Sequence, residues 1–273
     1  MPLQFTILTK SEDGPCLYWC TGAGESLQAV ADTLRLEKRS HTLIACQSAD
    51  WDRDYSPWPA PPVFGKQGFA GQGEQTLAKI RAFFTQDGAA ERPRAIGGYS
   101  LAGLFSLWAL SQDAGFAGVA SCSGSLWYPG WAEYAAQARY PQGSRVYLSL
   151  GEREERARNA ALARVGDATR AQYAALMADA GIADTTLVWH PGGHFDQPDA
   201  RMIAGCAWLL KKLCFVALPV FAKRWANEPH GSVLMMETTA KSLNACHKLP
   251  KIRGTSAILE AFNRQRCTKH RKF

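Results

Sequence analysis

The sequence predicts an α/β fold of three layers, a mostly parallel central sheet covered by helices on both faces. Three observations predict it. Short apolar runs of strand character alternate with longer stretches of helical period, which is the pattern of a parallel sheet. The 273 residues, 47% of them hydrophobic, suffice for one sizeable core. Glycine (24) and proline (14) stand at ordinary globular levels, which excludes a fibrous or low-complexity chain, and no internal repeat stands out.

Taken in order, residues 5–9, 16–20 and 42–46 read as strands. Between the last two, residues 25–36 read as a helix with Leu27, Val30, Ala31 and Leu34 on one face. Residues 51–75 are rich in proline and glycine and carry Trp51 and Trp58; they read as a long surface loop, a kind of segment that is often functional. A helix over 74–85 turns Leu77, Ile80 and Phe84 inward. Strands are expected at 94–98, 118–121, 145–150 and 185–190, and helices at 102–112 and 159–180. A closing helix over 199–213 has Asp199 as its N-cap and Ile203, Cys206, Leu209 and Leu210 on one face.

The net charge of +7 is unevenly placed. Residues 1–213 hold 20 basic against 21 acidic side chains, whereas 214–273 hold 11 against 3. The domain organisation follows: residues 1–213 form the α/β domain, and 214–273 a basic C-terminal extension. Its lysines and arginines could contact phosphates. Only Phe262 and Phe273 interleave with the later charges and no binding motif is present, so nucleic acid is disfavoured as a partner.

The opening residues Met1-Pro2-Leu3-Gln4-Phe5-Thr6 lack a basic n-region leading into an apolar run, so no signal peptide is expected. The apolar run at 213–222 is interrupted by Pro219 and falls short of the about 20 residues that span a bilayer. The eight cysteines are scattered and read as reduced, mostly buried thiols of a cytoplasmic protein. Cys16 and Cys20 have no second Cys/His pair beside them, so no zinc site is expected.

The chemistry centres on Gly97-Gly98-Tyr99-Ser100-Leu101-Ala102-Gly103, which joins an apolar strand to a strongly helical run. A serine in such a turn is forced above the sheet, and the chain packs so tightly that the positions two before and two after must be small. Here they are Gly98 and Ala102, a mild departure from the strict G-x-S-x-G form. The turn also aims the Leu101 amide at a developing oxyanion.

A serine needs a base. Of six histidines, His194 stands out on the glycine turn Pro191-Gly192-Gly193-His194-Phe195, after a strand and before the last helix. His190 is the rival, placed to contact the sheet, and His41 reads as a solvated loop residue. The acid belongs between serine and histidine, after a strand, where Gly151-Glu152-Arg153-Glu154-Glu155 offers three carboxylates. Glu154 is the choice, with Glu152 next; the bland reading is a solvated, arginine-paired charge cluster. A second oxyanion donor is expected from Gly22 and Ala23, in a Thr21–Glu25 segment that a plain turn explains equally well.

Those segments, with Ser123-Gly124-Ser125-Leu126-Trp127, occur in an order and spacing that resembles the esterase D-like family of α/β-hydrolases. That family includes enterochelin and other siderophore esterases, feruloyl esterases and mycolyltransferases. The stretch Asp50-Trp51-Asp52-Arg53-Asp54-Tyr55-Ser56-Pro57-Trp58-Pro59-Ala60-Pro61 looks like a loop of bacterial members. The likeness covers residues 6–213 and leaves the tail open between a small appendage, a disordered arm and a stretch outside the family's reading frame. It implies an α/β-hydrolase sandwich and a Ser–His–acid mechanism on a small-molecule ester, with neither metal nor organic cofactor. Ester hydrolysis through an acyl-serine is the implied activity, and acyl transfer to an alcohol would use the same site. Trp58, Trp127 and Trp131 would flank the substrate pocket or fill the core beneath it.

Overall fold

The computed structural model describes residues 3–87, 91–112 and 114–213. The readings placed on 214–273, Cys214, Cys246 and Cys267 among them, lie outside the described residues. The chain opens with strands β1 (Gln4–Thr9) and β2 (Cys16–Gly22), helix α1 (Gln28–Leu36) and strand β3 (Thr42–Ser48). The segment expected as one long loop holds a helical turn, α2 (Trp51–Asp54), and a short antiparallel ladder of β4 (Pro59–Ala60) with β5 (Phe69–Ala70). Asp50 starts α2 by accepting the Arg53 amide at 3.3 Å. Then come α3 (Gly73–Phe83), β6 (Arg94–Tyr99), α4 (Ser100–Ser111), β7 (Gly118–Cys122), α5 (Trp131–Gln137) and β8 (Ser144–Gly151).

A 3₁₀ turn at Glu154–Arg156 leads into α6 (Ala160–Ala163), α7 (Val165–Ala178), β9 (Ile182–His190) and α8 (Pro198–Leu213). The single helix expected over 159–180 is thus two. The break follows a tightened turn in which the Arg164 amide bonds back three residues to Ala161 O. Helix α5 had no counterpart in the sequence reading.

Seven strands form one sheet in the order β1-β3-β2-β6-β7-β8-β9, and only β1 runs antiparallel. Alternation along each strand feeds two cores. Leu17 and Trp19 of β2 face α1 and α8, where Val30, Leu34, Cys206, Leu209 and Leu210 are buried. Tyr18 and Cys20 face the other side, with Leu104, Phe105 and Leu107 of α4. Gly97 is needed beneath Trp19, because a Cβ there would lie 2.4 Å from the indole. Both faces of the sheet are therefore covered, and β6, which leads into α4, is its central strand.

Cys16, Cys20, Cys46, Cys122 and Cys206 are buried free thiols. His41 is buried too, contrary to the solvated reading. Its Nδ1 meets Arg39 O at 2.7 Å, and it stands immediately before β3 enters the core. Among the described residues no helix is long and apolar enough to cross a membrane.

Candidate active site

Ser100 lies where β6 gives way to α4, with φ at 55°. That left-handed conformation costs a non-glycine residue on the order of 1–3 kcal/mol and persists because its surroundings enforce it. The enforcement is visible at Gly98, where a Cβ would stand 2.7 Å from both the carbonyl carbon and Cβ of Ala102. The turn therefore projects Oγ away from the sheet while Leu101 and Ala102 are buried.

Three segments that are distant in sequence meet at this hydroxyl. His194 Nε2 lies 3.0 Å from Ser100 Oγ. Its Nδ1 lies 2.7 Å from Glu154 Oε2. The Gly151 amide and the Arg201 guanidinium donate to the other carboxylate oxygen, at 2.7 and 2.6 Å. Burial pushes the Glu154 carboxyl up, but the His194 hydrogen bond and charge and the Gly151 amide together leave it below the ordinary carboxylate range. An ionised Glu154 then accepts Nδ1–H and turns the Nε2 lone pair toward Ser100.

The histidine turn is itself braced. Asp196 accepts the Gly193 amide and the Arg153 guanidinium, both at 2.7 Å, and these bonds hold its carboxyl low. Burial pushes the Tyr99 hydroxyl up to about 12, so it stays protonated and donates to His194 O at 2.6 Å.

The rival residues lie elsewhere. His190 contacts the sheet as expected, its Nε2 3.3 Å from the Tyr147 hydroxyl, and burial with the nearby Arg201 cation keeps it low. Glu152 is exposed, and Glu155 pairs with Arg170 at 2.6 Å. Of the three carboxylates only Glu154 is turned inward.

The oxyanion donors divide. Leu101 sits in the first turn of α4, where amides have no partner within the helix. The expectation for Gly22 and Ala23 needs correction. Gly22 N donates to Glu25 Oε2 at 2.9 Å and Ala23 N to Ser48 O at the end of β3 at 2.6 Å, so one amide is used within the turn and the other by the neighbouring strand.

The tryptophans divide as well. Trp131 is 2% exposed and stacks on Trp58 at 6.4 Å, which places it in the core. Trp58 is half-buried and donates Nε1–H to Pro129 O at 2.9 Å. Trp127 is half-buried among Phe64, Phe69 and Tyr128, two residues beyond a hydroxyl at the site.

That hydroxyl, Ser125, was missed. Its Oγ lies 3.2 Å from Ser100 Oγ, and its amide donates to Ser100 O at 3.0 Å. Arg201 was missed too. A basic residue in the first turn of a helix opposes the macrodipole, and that mismatch was the available signal.

No protein-family profile and no curated protein matches the chain. Solved structures do. An IroE-like serine hydrolase from Shewanella oneidensis superposes with a TM-score of 0.61 at 15% identity, over 77% of this chain and 80% of that one. The siderophore hydrolase EstA from Aspergillus nidulans gives 0.57 at 18% identity over 74% and 84%. EstB from the same organism gives 0.54 at 15% over 74% and 84%. Together with the sheet order, these likenesses establish the α/β-hydrolase fold.

Proposed function

We propose that this α/β-hydrolase-fold chain is a serine hydrolase that cleaves small-molecule carboxylic esters through an acyl-Ser100 intermediate. The observation that carries the reading is the hydrogen-bonded run from Ser100 Oγ to His194 Nε2 at 3.0 Å and from His194 Nδ1 to Glu154 Oε2 at 2.7 Å. The neighbouring structures, a serine hydrolase and two siderophore hydrolases, support the same class.

In this reading Ser100 Oγ attacks the ester carbonyl carbon as its proton passes to His194 Nε2. The charge that develops on the carbonyl oxygen falls to the Leu101 amide at the helix N-terminus. The tetrahedral adduct collapses by breaking the carbon–oxygen bond of the alcohol. His194 returns the proton to that oxygen, leaving the acyl group on Ser100. Water then attacks the acyl carbon, again giving its proton to His194, and Ser100 recovers the proton as the acid departs. Throughout, Glu154 stays ionised, orients the imidazole and stabilises its cationic form.

A fluorophosphonate probe on the full chain tests this. Wild type should be labelled at Ser100 and should hydrolyse p-nitrophenyl acetate, and Ser100→Ala and His194→Ala should lose both. A folded wild type that takes up no label sinks the proposal.

A further inference from the structure

Arg201 is 1% exposed and enters the interior from the first turn of α8. Helix N-termini favour acidic side chains, and burying a guanidinium is costly unless it is paired and hydrogen-bonded. Neither the helix nor the apolar core accounts for an arginine at this position. Its partners do.

One nitrogen, Nη1, donates to Glu154 Oε1 at 2.6 Å, Ser123 Oγ at 2.7 Å and the Tyr99 hydroxyl at 3.0 Å. The other, Nη2, donates to Gly193 O at 2.7 Å and Pro191 O at 3.4 Å. Tyr99 immediately precedes Ser100, and Gly193 immediately precedes His194. The end of β8 makes room for the group: a Cβ at Gly151 would stand 2.7 Å from Arg201 Nη2 and 2.9 Å from Glu154 Oε1. One planar cation thus touches the acid, the residue before the serine and the turn that carries the histidine.

We propose that Arg201 is a positioning residue for the Ser100–His194–Glu154 triad. By occupying Oε1 it leaves Oε2 as the oxygen presented to His194 Nδ1, and through Gly193 and Pro191 it fixes the histidine turn in register with that oxygen. The proposal rests on the hydrolase reading above. A buried ion pair adds little to stability that apolar residues of the same volume would not supply. Apolar residues cannot aim a carboxylate oxygen. A lysine ammonium cannot reproduce the planar fork that spans acid and turn together.

The test uses the full chain as wild type, Arg201→Met, Glu154→Gln, the double variant and Arg201→Lys. Each is assayed for kcat and KM on p-nitrophenyl acetate and for its melting temperature. Arg201→Met should lower kcat on the order of 100-fold, with KM within about 3-fold, the scale of losing a residue that orients a catalytic group. In the Glu154→Gln background the same change should move kcat by about 10-fold or less, because the carboxylate it aims is gone and only its hold on the histidine turn remains. Arg201→Lys should recover about 10-fold by keeping the charge.

A folded Arg201→Met with wild-type kcat overturns the proposal, as does an equal loss in both backgrounds. Should Arg201→Met fail to fold, Arg201→Lys decides: a normal melt with roughly 10-fold lower kcat supports it and an unchanged kcat overturns it. Failure of both variants to fold also overturns it, by making the role structural. These outcomes differ from failure of the hydrolase reading, in which Ser100→Ala would hydrolyse as well as wild type.

Discussion

Glu154 Oε2 lies 2.7 Å from His194 Nδ1, although 40 residues of chain separate the two. The 3₁₀ turn after β8 buries Glu154, and the glycine turn after β9 brings His194 across to meet it. The contact distinguishes one carboxylate from two neighbours of the same charge.

Glu154→Gln should therefore lower kcat by about 10³ to 10⁴, because an amide no longer holds the imidazole in the tautomer that faces Ser100. Glu152→Gln should stay within about 2-fold, as expected of an exposed side chain away from such features. Initial rates on p-nitrophenyl acetate check both. Equal losses at the two positions would contradict the geometry.

The legibility of the site varied with how local its physics is. The strand-to-helix turn was readable because Gly98, Ser100 and Ala102 satisfy a steric demand set within five residues. His194 was readable for the same reason, on a turn whose Gly192 takes φ of 97°. The sheet was legible from short apolar runs set between helical stretches, since a strand that feeds two cores reads as a continuous apolar run. Arg201 was not, because its partners Glu154, Ser123 and Gly193 come together only through the crossing of β7, β8 and α8. The Gly22 and Ala23 amides failed for the converse reason. Glycine content permits a donor loop, but whether the amides are free depends on Glu25 and Ser48. The split of α6 from α7 turns on a single residue, Arg164, that periodicity cannot see.

The pH dependence of stability follows from the lowered Glu154 carboxyl. A carboxyl depressed in the folded chain binds more protons when unfolded, so its stabilisation is complete above the unfolded value of about 4.3. It is lost as pH falls through the lower folded value. Near neutral pH, Glu154→Gln leaves Arg201 without its buried counter-charge and should cost about 3–5 kcal/mol. Melting curves of wild type and variant should therefore stand well apart near pH 7 and draw steadily together as pH falls from about 4.3. A gap that stays constant across that range would refute the assignment.

Crowding at the Ser100 turn predicts an asymmetry between its two small residues. Gly98→Ala places a methyl against the backbone of Ala102, which cannot swing aside. It should destabilise by about 1–3 kcal/mol and slow fluorophosphonate labelling, because relief requires the turn to open. Ala102→Gly removes a buried methyl from the first turn of α4 and should cost at most about 1 kcal/mol without slowing the label. Melts paired with labelling time courses measure both. Slower labelling in Ala102→Gly alone would reverse the asymmetry.

Trp131 and Trp127 should separate core from pocket. Trp131 is 2% exposed, stacked on Trp58 and tilted against Tyr134 at 5.5 Å, so its truncation opens a cavity. Trp131→Ala should cost about 3–5 kcal/mol. Well below its melting temperature, kcat and KM should nonetheless stay within about 3-fold, since the loss is one of packing. Trp127 is half-buried and follows Ser125, whose hydroxyl meets Ser100 Oγ at 3.2 Å. Trp127→Ala should cost less stability but raise KM for aryl esters several-fold, because part of an apolar face that a bound ester would cover is gone. The two variants thus divide melting temperature from KM. A raised KM in Trp131→Ala, with Trp127→Ala silent, would move the pocket to the other side of Trp58.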